Sequence, residues 1–258
     1  MRRKLCTLAL LLVGCQSASP PWSQRKVQLV GLGDSITRGF GASPGQAYFE
    51  QLTVLLKARL PNLTAVNYAE STTTSGRHLQ TQLPRVKQAP ADTLGLVVVT
   101  TGGNDLIHNY GRSRPREEAM YGATFDQAQP WVSRFGKRTD QLLDGLNARF
   151  PGGVRIFLAN IYDPTDGRGD IENSGLPLPA WPDGTRLLAC YNEILADRAA
   201  RRPEVYPVDL HKEFMGHGIH HGVQPYYYYA NLEDPNDAGY SRITRLFEAA
   251  IEASIPPD

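Results

Sequence analysis

The sequence predicts a three-layer α/β/α domain with a central parallel sheet of about five strands. Apolar runs of strand length alternate along the chain with stretches in which apolar residues recur at helical spacing. The strongest run, at residues 94–101, is apolar at consecutive positions, which is typical of a central parallel strand covered on both faces. Because strands alternate with helices, each connection can cross the sheet and return parallel to the preceding strand.

The alternation begins close to the N-terminus. Residues 27–33 are an apolar run that predicts a buried strand, and residues 46–60 carry aromatic and leucine side chains at helical spacing. A short strand is predicted at residues 65–68, ahead of the strong strand at 94–101.

The same alternation continues to the C-terminus. Residues 131–150 predict a long amphipathic helix, residues 154–160 a strand and residues 185–202 another helix. A last strand is predicted at residues 205–210 and a closing helix at residues 243–251.

Two stretches, residues 106–129 and 161–184, follow neither period. Both are rich in glycine, proline and charged residues. Loops of this length in a compact domain are usually functional or mobile, and that is the expectation for both.

The N-terminus has the composition of an export signal. Residues 1–14 combine a basic start with an apolar stretch too short to span a bilayer. The stretch runs into Leu12-Val13-Gly14-Cys15, which resembles a bacterial lipobox and implies cleavage before Cys15 and lipidation of that cysteine. An ordinary signal peptide with an incidental cysteine is the alternative. Residues 15–25 are predicted to be a tether and residues 26–258 a folded domain, exported and held at the cell envelope through the lipid at Cys15.

Charge and cysteine content narrow the classes of function. Removal of residues 1–14 leaves 24 basic and 26 acidic residues, a net charge of −2. A nucleic-acid-binding protein needs a basic stripe, so no nucleic-acid partner is predicted. With Cys15 lipidated, Cys190 would be the remaining cysteine, so no intrachain disulfide is expected. The apolar helical neighbours of Cys190 predict packing rather than reactivity.

A glycine-rich turn follows the first predicted strand. Residues 31–39 read G-L-G-D-S-I-T-R-G, and Ser35 lies just beyond the end of the strand. Clefts in open α/β sheets form at the carboxyl ends of strands, so Ser35 is a candidate nucleophile. A dinucleotide-binding turn would need glycine in place of Ile36. The sequence here also lacks the Gly-Lys-Ser/Thr of a P-loop and the G-x-S-x-G of an α/β-hydrolase elbow.

Three segments resemble the SGNH (GDSL) hydrolase family. They are residues 31–39, the Gly102-Gly103-Asn104-Asp105 segment after the strongest strand, and the P-N-D-A-G-Y of residues 235–240 before the last helix. The segments occur in the family's order, and the resemblance covers residues 26–253. It implies a flavodoxin-like fold and a serine esterase without a cofactor, in which Ser35 attacks an ester carbonyl.

The resemblance also implies an oxyanion site. The backbone N–H groups of Ser35 and Thr72 and the side-chain amide of Asn104 would donate to the tetrahedral intermediate, which requires donors aimed in advance. Thr72 stands where the family has a glycine; its N–H remains, but its side chain crowds backbone conformations that glycine adopts freely. Gly76 is the alternative donor, and a turn-forming role is the alternative for Asn104.

The chain departs from the family at the base. The family carries D-x-x-H before its P-N segment, but residues 231–234 are Asn-Leu-Glu-Asp. Asp234 therefore stands at the histidine position and Asn231 at the aspartate position. A serine hydroxyl is a poor nucleophile without an adjacent base, so another group must serve.

His217 is the predicted base. It lies between two glycines and resembles the G-H-G of divergent family members, and Asp234 or Asp237 is expected to hold its other ring nitrogen. His211 and His220 are the alternatives. The histidines clustered in residues 211–221 have neither an HExxH pattern nor a cysteine pair, so no metal is predicted.

These residues predict a serine-dependent hydrolase of acyl or acetyl esters, with a small-molecule or glycan substrate. The same residues would serve an O-acyltransferase in which a sugar hydroxyl replaces water. The alternative from another class is a non-catalytic glycan-binding lipoprotein of the same fold, which the intact G-D-S and G-N-D segments argue against.

Overall fold

The chain is described by a computed structural model over residues 24–169 and 178–255. The predicted signal sequence, Cys15 and the tether up to residue 23 lie outside the described residues. None of the helices within the described ranges is both long enough and apolar enough to cross a membrane.

One parallel sheet runs through the domain. Its strands are β1 (Lys26–Leu32), β2 (Leu63–Asn67), β3 (Thr93–Val99), β4 (Val154–Ala159) and β5 (Val205–Val208). Their spatial order is β2-β1-β3-β4-β5, and every neighbouring pair is parallel. The order reverses between β1 and β3, and a crevice for ligands forms at the carboxyl ends of the strands on either side of such a point.

Helices cover both faces of the sheet. They are α1 (Ser35–Arg38), α2 (Tyr48–Arg59), α3 (Ser75–Arg77), α4 (Gly103–Ile107), α5 (Phe125–Arg149), α6 (Gly184–Arg201), α7 (Leu210–Phe214) and α8 (Asp237–Ser254). Side chains alternate between the faces of a strand. Val97 and Val99 of β3 therefore join the core beneath α5 and α6, whereas Leu96 and Val98 join the core beneath α2, α7 and α8. The predicted three-layer α/β/α class is confirmed.

The predicted loop at residues 106–129 is wrong at both ends. The helix α4 extends to Ile107, and α5 begins at Phe125 although Pro130 lies inside it. Thr124 caps α5 by accepting the N–H of Gln127 at 3.3 Å, which supports the first turn. Pro130 interrupts the apolar period, and for that reason the start of α5 was not visible in the pattern.

Cys190 packs as predicted. Its half-buried side chain lies on α6 against the core beneath α5 and α6. Burial raises the pKa of its thiol, which favours the unreactive protonated form.

Candidate active site

The turn after β1 is held in a conformation that requires glycine. Gly33 has a φ of +149°, and a Cβ atom there would lie 2.3 Å from Oγ1 of Thr100. The side-chain amide of Gln82 holds both backbone polar groups of Gly33. Its Oε1 accepts the N–H of Gly33 at 2.9 Å, and its Nε2 donates to the Gly33 carbonyl at 2.7 Å. The chain therefore leaves the sheet in one direction, towards Asp34 and Ser35.

Asp34 positions Ser35 at the start of α1. One oxygen of its carboxylate accepts the N–H of Ile36 at 3.1 Å and the hydroxyl of Thr100 at 2.8 Å. Asp34 caps α1 in this way, as aspartate commonly does at a helix start. Burial raises its pKa to about 6, and the nearby charge of Asp234 adds to the rise.

Asp234 is the ionisable group beside the Ser35 hydroxyl. The nearby Ser35 hydroxyl lowers the pKa of the Asp234 carboxyl, but the larger effect of burial leaves that pKa above its usual range. The Oδ1 atom of Asp234 is nevertheless buried with no well-aligned hydrogen bond from any described residue. We interpret these facts together as a hydroxyl within reach of the carboxylate but not yet in ideal alignment, as is common in a site without substrate.

Asn231 orients this carboxylate. Its Nδ2 donates to Oδ2 of Asp234 at 2.7 Å, and its Oδ1 accepts the N–H groups of Glu233 and Asp234 at 3.2 Å each. Between them Leu232 has a φ of +59°, in the left-handed region that non-glycine residues rarely occupy. The strained turn leaves Oδ1 of Asp234 available for Ser35.

The predicted pairing of His217 with Asp234 or Asp237 is wrong. Nδ1 of His217 contacts the carbonyl of Pro225 at 2.7 Å, and its ring stacks on Tyr227 at 3.9 Å between centroids. Asp237 instead accepts the N–H of Ser43 at 2.8 Å and its hydroxyl at 2.7 Å. Neither aspartate therefore orients this imidazole, and the role of His217 as the base stays a prediction.

Asp166 explains the shape of that loop. Its carboxylate accepts the backbone N–H groups of Gly216, Gly218 and His220 at 2.8 to 2.9 Å. The alternative base His211 is also engaged elsewhere, with Nδ1 at 3.0 Å from the carbonyl of Ile161. Nδ1 of His220, the other alternative, lies 3.3 Å from Arg168.

The predicted oxyanion residues lie on adjoining segments. Nδ2 of Asn104, a buried side chain at the start of α4, donates to the carbonyl of Thr73 at 3.0 Å. The hydroxyl of Thr73 donates to the carbonyl of Gly33 at 2.9 Å, which ties this segment to the nucleophile turn. Thr72 has a φ of +63°, so the threonine adopts a left-handed conformation that glycine occupies freely. The roles of Ser35, Thr72 and Asn104 as donors to an oxyanion stay predictions.

An apolar pocket of about 180 Å³ opens beside the nucleophile turn. Its wall includes Ile36, which follows Ser35, and Asn231, which precedes the Asp234 turn. The remaining wall is mainly aliphatic and aromatic: Leu106, Ile107, Tyr121, Ile161, Tyr162, Leu178, Trp181, Leu188, Ile219 and Leu232. The predicted loop at residues 161–184 supplies much of this wall. Such a surface suits the hydrocarbon part of an ester.

Glu233 is a polar residue of this pocket that sequence reasoning did not assign. It accepts the hydroxyl of Tyr110 at 2.8 Å. Burial raises its pKa to about 7, and the neighbouring charge of Asp234 acts in the same direction. The sequence could have indicated Glu233 through the tetrad at residues 231–234. A residue next to Asp234 in the chain must lie close to the same cleft.

No group of three or more histidine, cysteine, aspartate or glutamate side chains in the described ranges is arranged to hold a metal ion.

The fold and the site together define a serine hydrolase on a doubly wound parallel sheet. Residues 32–242 match the GDSL-like Lipase/Acylhydrolase family. The chain belongs to this family, and it is a serine hydrolase that acts on ester bonds. No curated protein sequence matches it.

Solved structures of this fold agree with the sheet and helices described above. An extracellular lipase from Streptomyces rimosus is 19% identical with a TM-score of 0.62, covering 87% of this chain and 99% of the lipase. A phospholipase A1 from Streptomyces albidoflavus is 20% identical with a TM-score of 0.60, covering 86% of this chain and 98% of its own. A catalytic mutant of an acetylxylan esterase from Geobacillus stearothermophilus is 19% identical with a TM-score of 0.56, covering 87% of this chain and 93% of the esterase. At these identities the likeness concerns the fold.

Proposed function

We propose that this protein hydrolyses acyl esters with Ser35 as the nucleophile and Asp234 as the proton acceptor. The observation that carries the proposal is the position of the Asp234 carboxylate beside the Ser35 hydroxyl, at the place where the family has histidine. A carboxylate at its ordinary pKa is a weak base for a hydroxyl. Burial raises the pKa of Asp234 and so strengthens it as a base.

The proposed reaction has two halves. Oγ of Ser35 attacks the ester carbonyl while its proton passes to Asp234, and the neutral carboxylic acid then returns that proton to the departing alkoxide. A water molecule next gives a proton to Asp234 and attacks the acyl-enzyme. Asp234 then returns this proton to Oγ of Ser35 as the bond to Ser35 breaks, which releases the carboxylic acid product and restores the free enzyme. Backbone N–H groups of Ser35 and Thr72 and the amide of Asn104 would hold the oxyanion in both halves.

The pocket beside Ser35 supports an acyl chain longer than acetyl. Its wall is apolar over most of its area, and burial of each methylene group stabilises a bound chain by about 0.8 kcal/mol. We therefore place the acyl group in this pocket and the alcohol outside it. A carbohydrate alcohol remains part of the proposal, as does an envelope location through a lipid at Cys15.

Replacement of the nucleophile tests the proposal. Ser35→Ala should abolish hydrolysis of 4-nitrophenyl octanoate while retaining the wild-type melting temperature within about 2 °C. Ser133→Ala, which removes an exposed serine on α5, is the matched control and should retain full activity. A folded Ser35→Ala variant with undiminished activity would contradict the assignment of the nucleophile.

The two alternative functions give different results in the same assay. An O-acyltransferase would be slow in water and accelerate when a sugar acceptor is added, and it would still depend on Ser35. A glycan-binding lipoprotein would leave every ester intact, and Ser35→Ala would then change nothing.

A further inference from the structure

A second pocket, of about 380 Å³, lies beside the predicted oxyanion segment. Thr72, Thr73 and Thr74 form one wall, and His108, which follows α4, belongs to another. The helix α4 therefore has the apolar pocket on the side of Leu106 and Ile107 and this second pocket at His108. An ester carbonyl held between Ser35 and Asn104 would have the two pockets on either side.

The carboxylates of the second pocket are already neutralised. Glu70 pairs with Arg85 at 2.5 Å, and Glu117 pairs with Arg134 at 2.7 Å. Glu118 pairs with Arg138 at 3.1 Å and accepts the N–H of Gly76 at 2.8 Å. These acids contribute no free negative charge to the pocket.

The arginines that remain in the wall are not paired. No carboxylate among the described residues makes an ion pair with Arg77 or Arg116, and both side chains are exposed to solvent. The guanidinium of Arg116 donates to the hydroxyl of Ser113 at 3.1 Å. The uncompensated charge of the pocket is therefore positive, and guanidinium groups are well suited to bind phosphate or carboxylate oxygens.

A lining residue of the pocket has a buried hydroxyl without a hydrogen bond. Thr74 is 5% exposed, and its Oγ1 has no hydrogen-bond partner in the described structure. Thr74 precedes α3 but does not cap it, because the N–H groups of Ser75 and Gly76 are taken by Asp105 and Glu118 at 2.8 Å each. Nδ1 of His108 is likewise buried without a hydrogen bond from a described residue. A buried polar atom without a hydrogen bond is unfavourable, so a ligand that supplies the missing hydrogen bond gains binding free energy.

We propose that this pocket binds an anionic group carried by the alcohol half of the ester, through Arg77, Arg116 and Thr74. The inference rests on the proposed function, since it assigns the acyl chain to the apolar pocket and the alcohol to the polar one. The shared chemistry is a phosphate or carboxylate oxygen on the alcohol. The enzyme should therefore select anionic esters over neutral esters of the same acyl chain.

The proposed anion site is tested by the selectivity of the enzyme between esters that share one acyl chain. The substrates are 1-octanoylglycerol, 1-octanoylglycerol 3-phosphate and O-octanoylglycolate, which share the acyl chain and differ in the charge of the alcohol. The ratio of kcat/KM for an anionic ester to that for the neutral ester should fall about fivefold in Arg77→Gln and in Arg116→Gln. Arg114→Gln, on the same loop but outside the pocket wall, should keep the wild-type ratio. Ratios that stay at the wild-type value in both variants overturn the proposal, and the anionic ester with the larger loss identifies phosphate or carboxylate as the group bound.

Binding without turnover separates this inference from the proposed function. Glycerol 3-phosphate should bind to the full chain and to Ser35→Ala equally in a calorimetric titration, and about fivefold more weakly to Arg77→Gln. Thr74→Val should also bind it more weakly, without a loss in melting temperature, because the hydroxyl it removes is unpaired in the free protein. Equal binding by wild type, Arg77→Gln and Thr74→Val contradicts the site even if the esterase is active. Loss of all ester hydrolysis with binding intact contradicts the proposed function alone.

Discussion

The tetrad at residues 231–234 and the histidine loop at residues 211–221 both follow the sheet, and Asp234 of the tetrad lies beside the Ser35 hydroxyl. The histidine loop has the better base by residue type, but His217 is held by Pro225 and Tyr227. The tetrad has a weaker base by residue type, but Asp234 lies at the nucleophile and is buried there. In the proposed function, position at the sheet edge and the burial it brings outweigh the intrinsic chemistry of the side chain.

A large loss of kcat/KM, second to that at Asp234 itself, is expected at Asn231, a positioning residue. Asn231→Ala removes the amide that orients Asp234 and the oxygen that accepts two backbone N–H groups of the turn. Misplacement of a catalytic group by such a change costs about 10-fold to 100-fold in kcat/KM. Because the Asn231 amide lowers the pKa of Asp234, the acid limb of the pH profile should also move to higher pH. A drop in rate with no movement of that limb would indicate general damage to the turn.

A smaller effect, on KM, is expected at Glu233, a residue of the tetrad that lines the apolar pocket. Its pKa of about 7 means that the carboxyl is neutral below this pH and charged above it. An acyl chain bound in the pocket would remove the charged carboxylate from water, which is unfavourable. KM for 4-nitrophenyl octanoate should therefore rise about tenfold as pH increases through 7. Glu233→Gln keeps an oxygen for the Tyr110 hydroxyl and removes the charge, and its KM should not depend on pH in this range. The same rise of KM in this variant would exclude Glu233 as its source.

In the histidine loop, substitutions are expected to change the free energy of unfolding and to have the smallest effect on activity. His217→Ala removes a ring stacked on Tyr227 and a contact with the Pro225 carbonyl, which together stabilise the fold by about 1–2 kcal/mol. His221→Ala is the matched control, because Nδ1 of His221 contacts the carbonyl of Gln224 at 2.7 Å in the same loop. Both variants should lower the free energy of unfolding, measured in urea. A melting curve for His217→Ala that matches the wild type would show that these contacts do not hold the loop.

The sheet and the nucleophile turn could be predicted because their signals are local. The apolar run of β3 and the glycines before Ser35 report on burial and backbone geometry within a few residues. The start of α5 was missed because Pro130 interrupts the apolar period that the prediction relied on.

The proposed base, Asp234, could not be predicted because the choice of base depends on contacts between residues distant in the chain. The shape of the histidine loop is set by Asp166, more than forty residues before its histidines. The basicity of Asp234 comes from burial, which the sequence reports only indirectly. The family pattern marks residue 234 as the position of the base, but ordinary pKa values favour a histidine over the carboxylate found there.

A side-by-side measurement of kcat/KM for Asp234→Asn and His217→Ala separates the two regions most directly. Asn has the shape of Asp but cannot accept the Ser35 proton, so Asp234→Asn should lose about 10²-fold to 10⁴-fold on 4-nitrophenyl octanoate. His217→Ala, assayed well below its melting temperature, should stay within about twofold of wild type, because its imidazole contacts Pro225 and Tyr227 rather than the tetrad. The opposite pattern, with His217→Ala inactive and Asp234→Asn near wild type, would contradict Asp234 as the base.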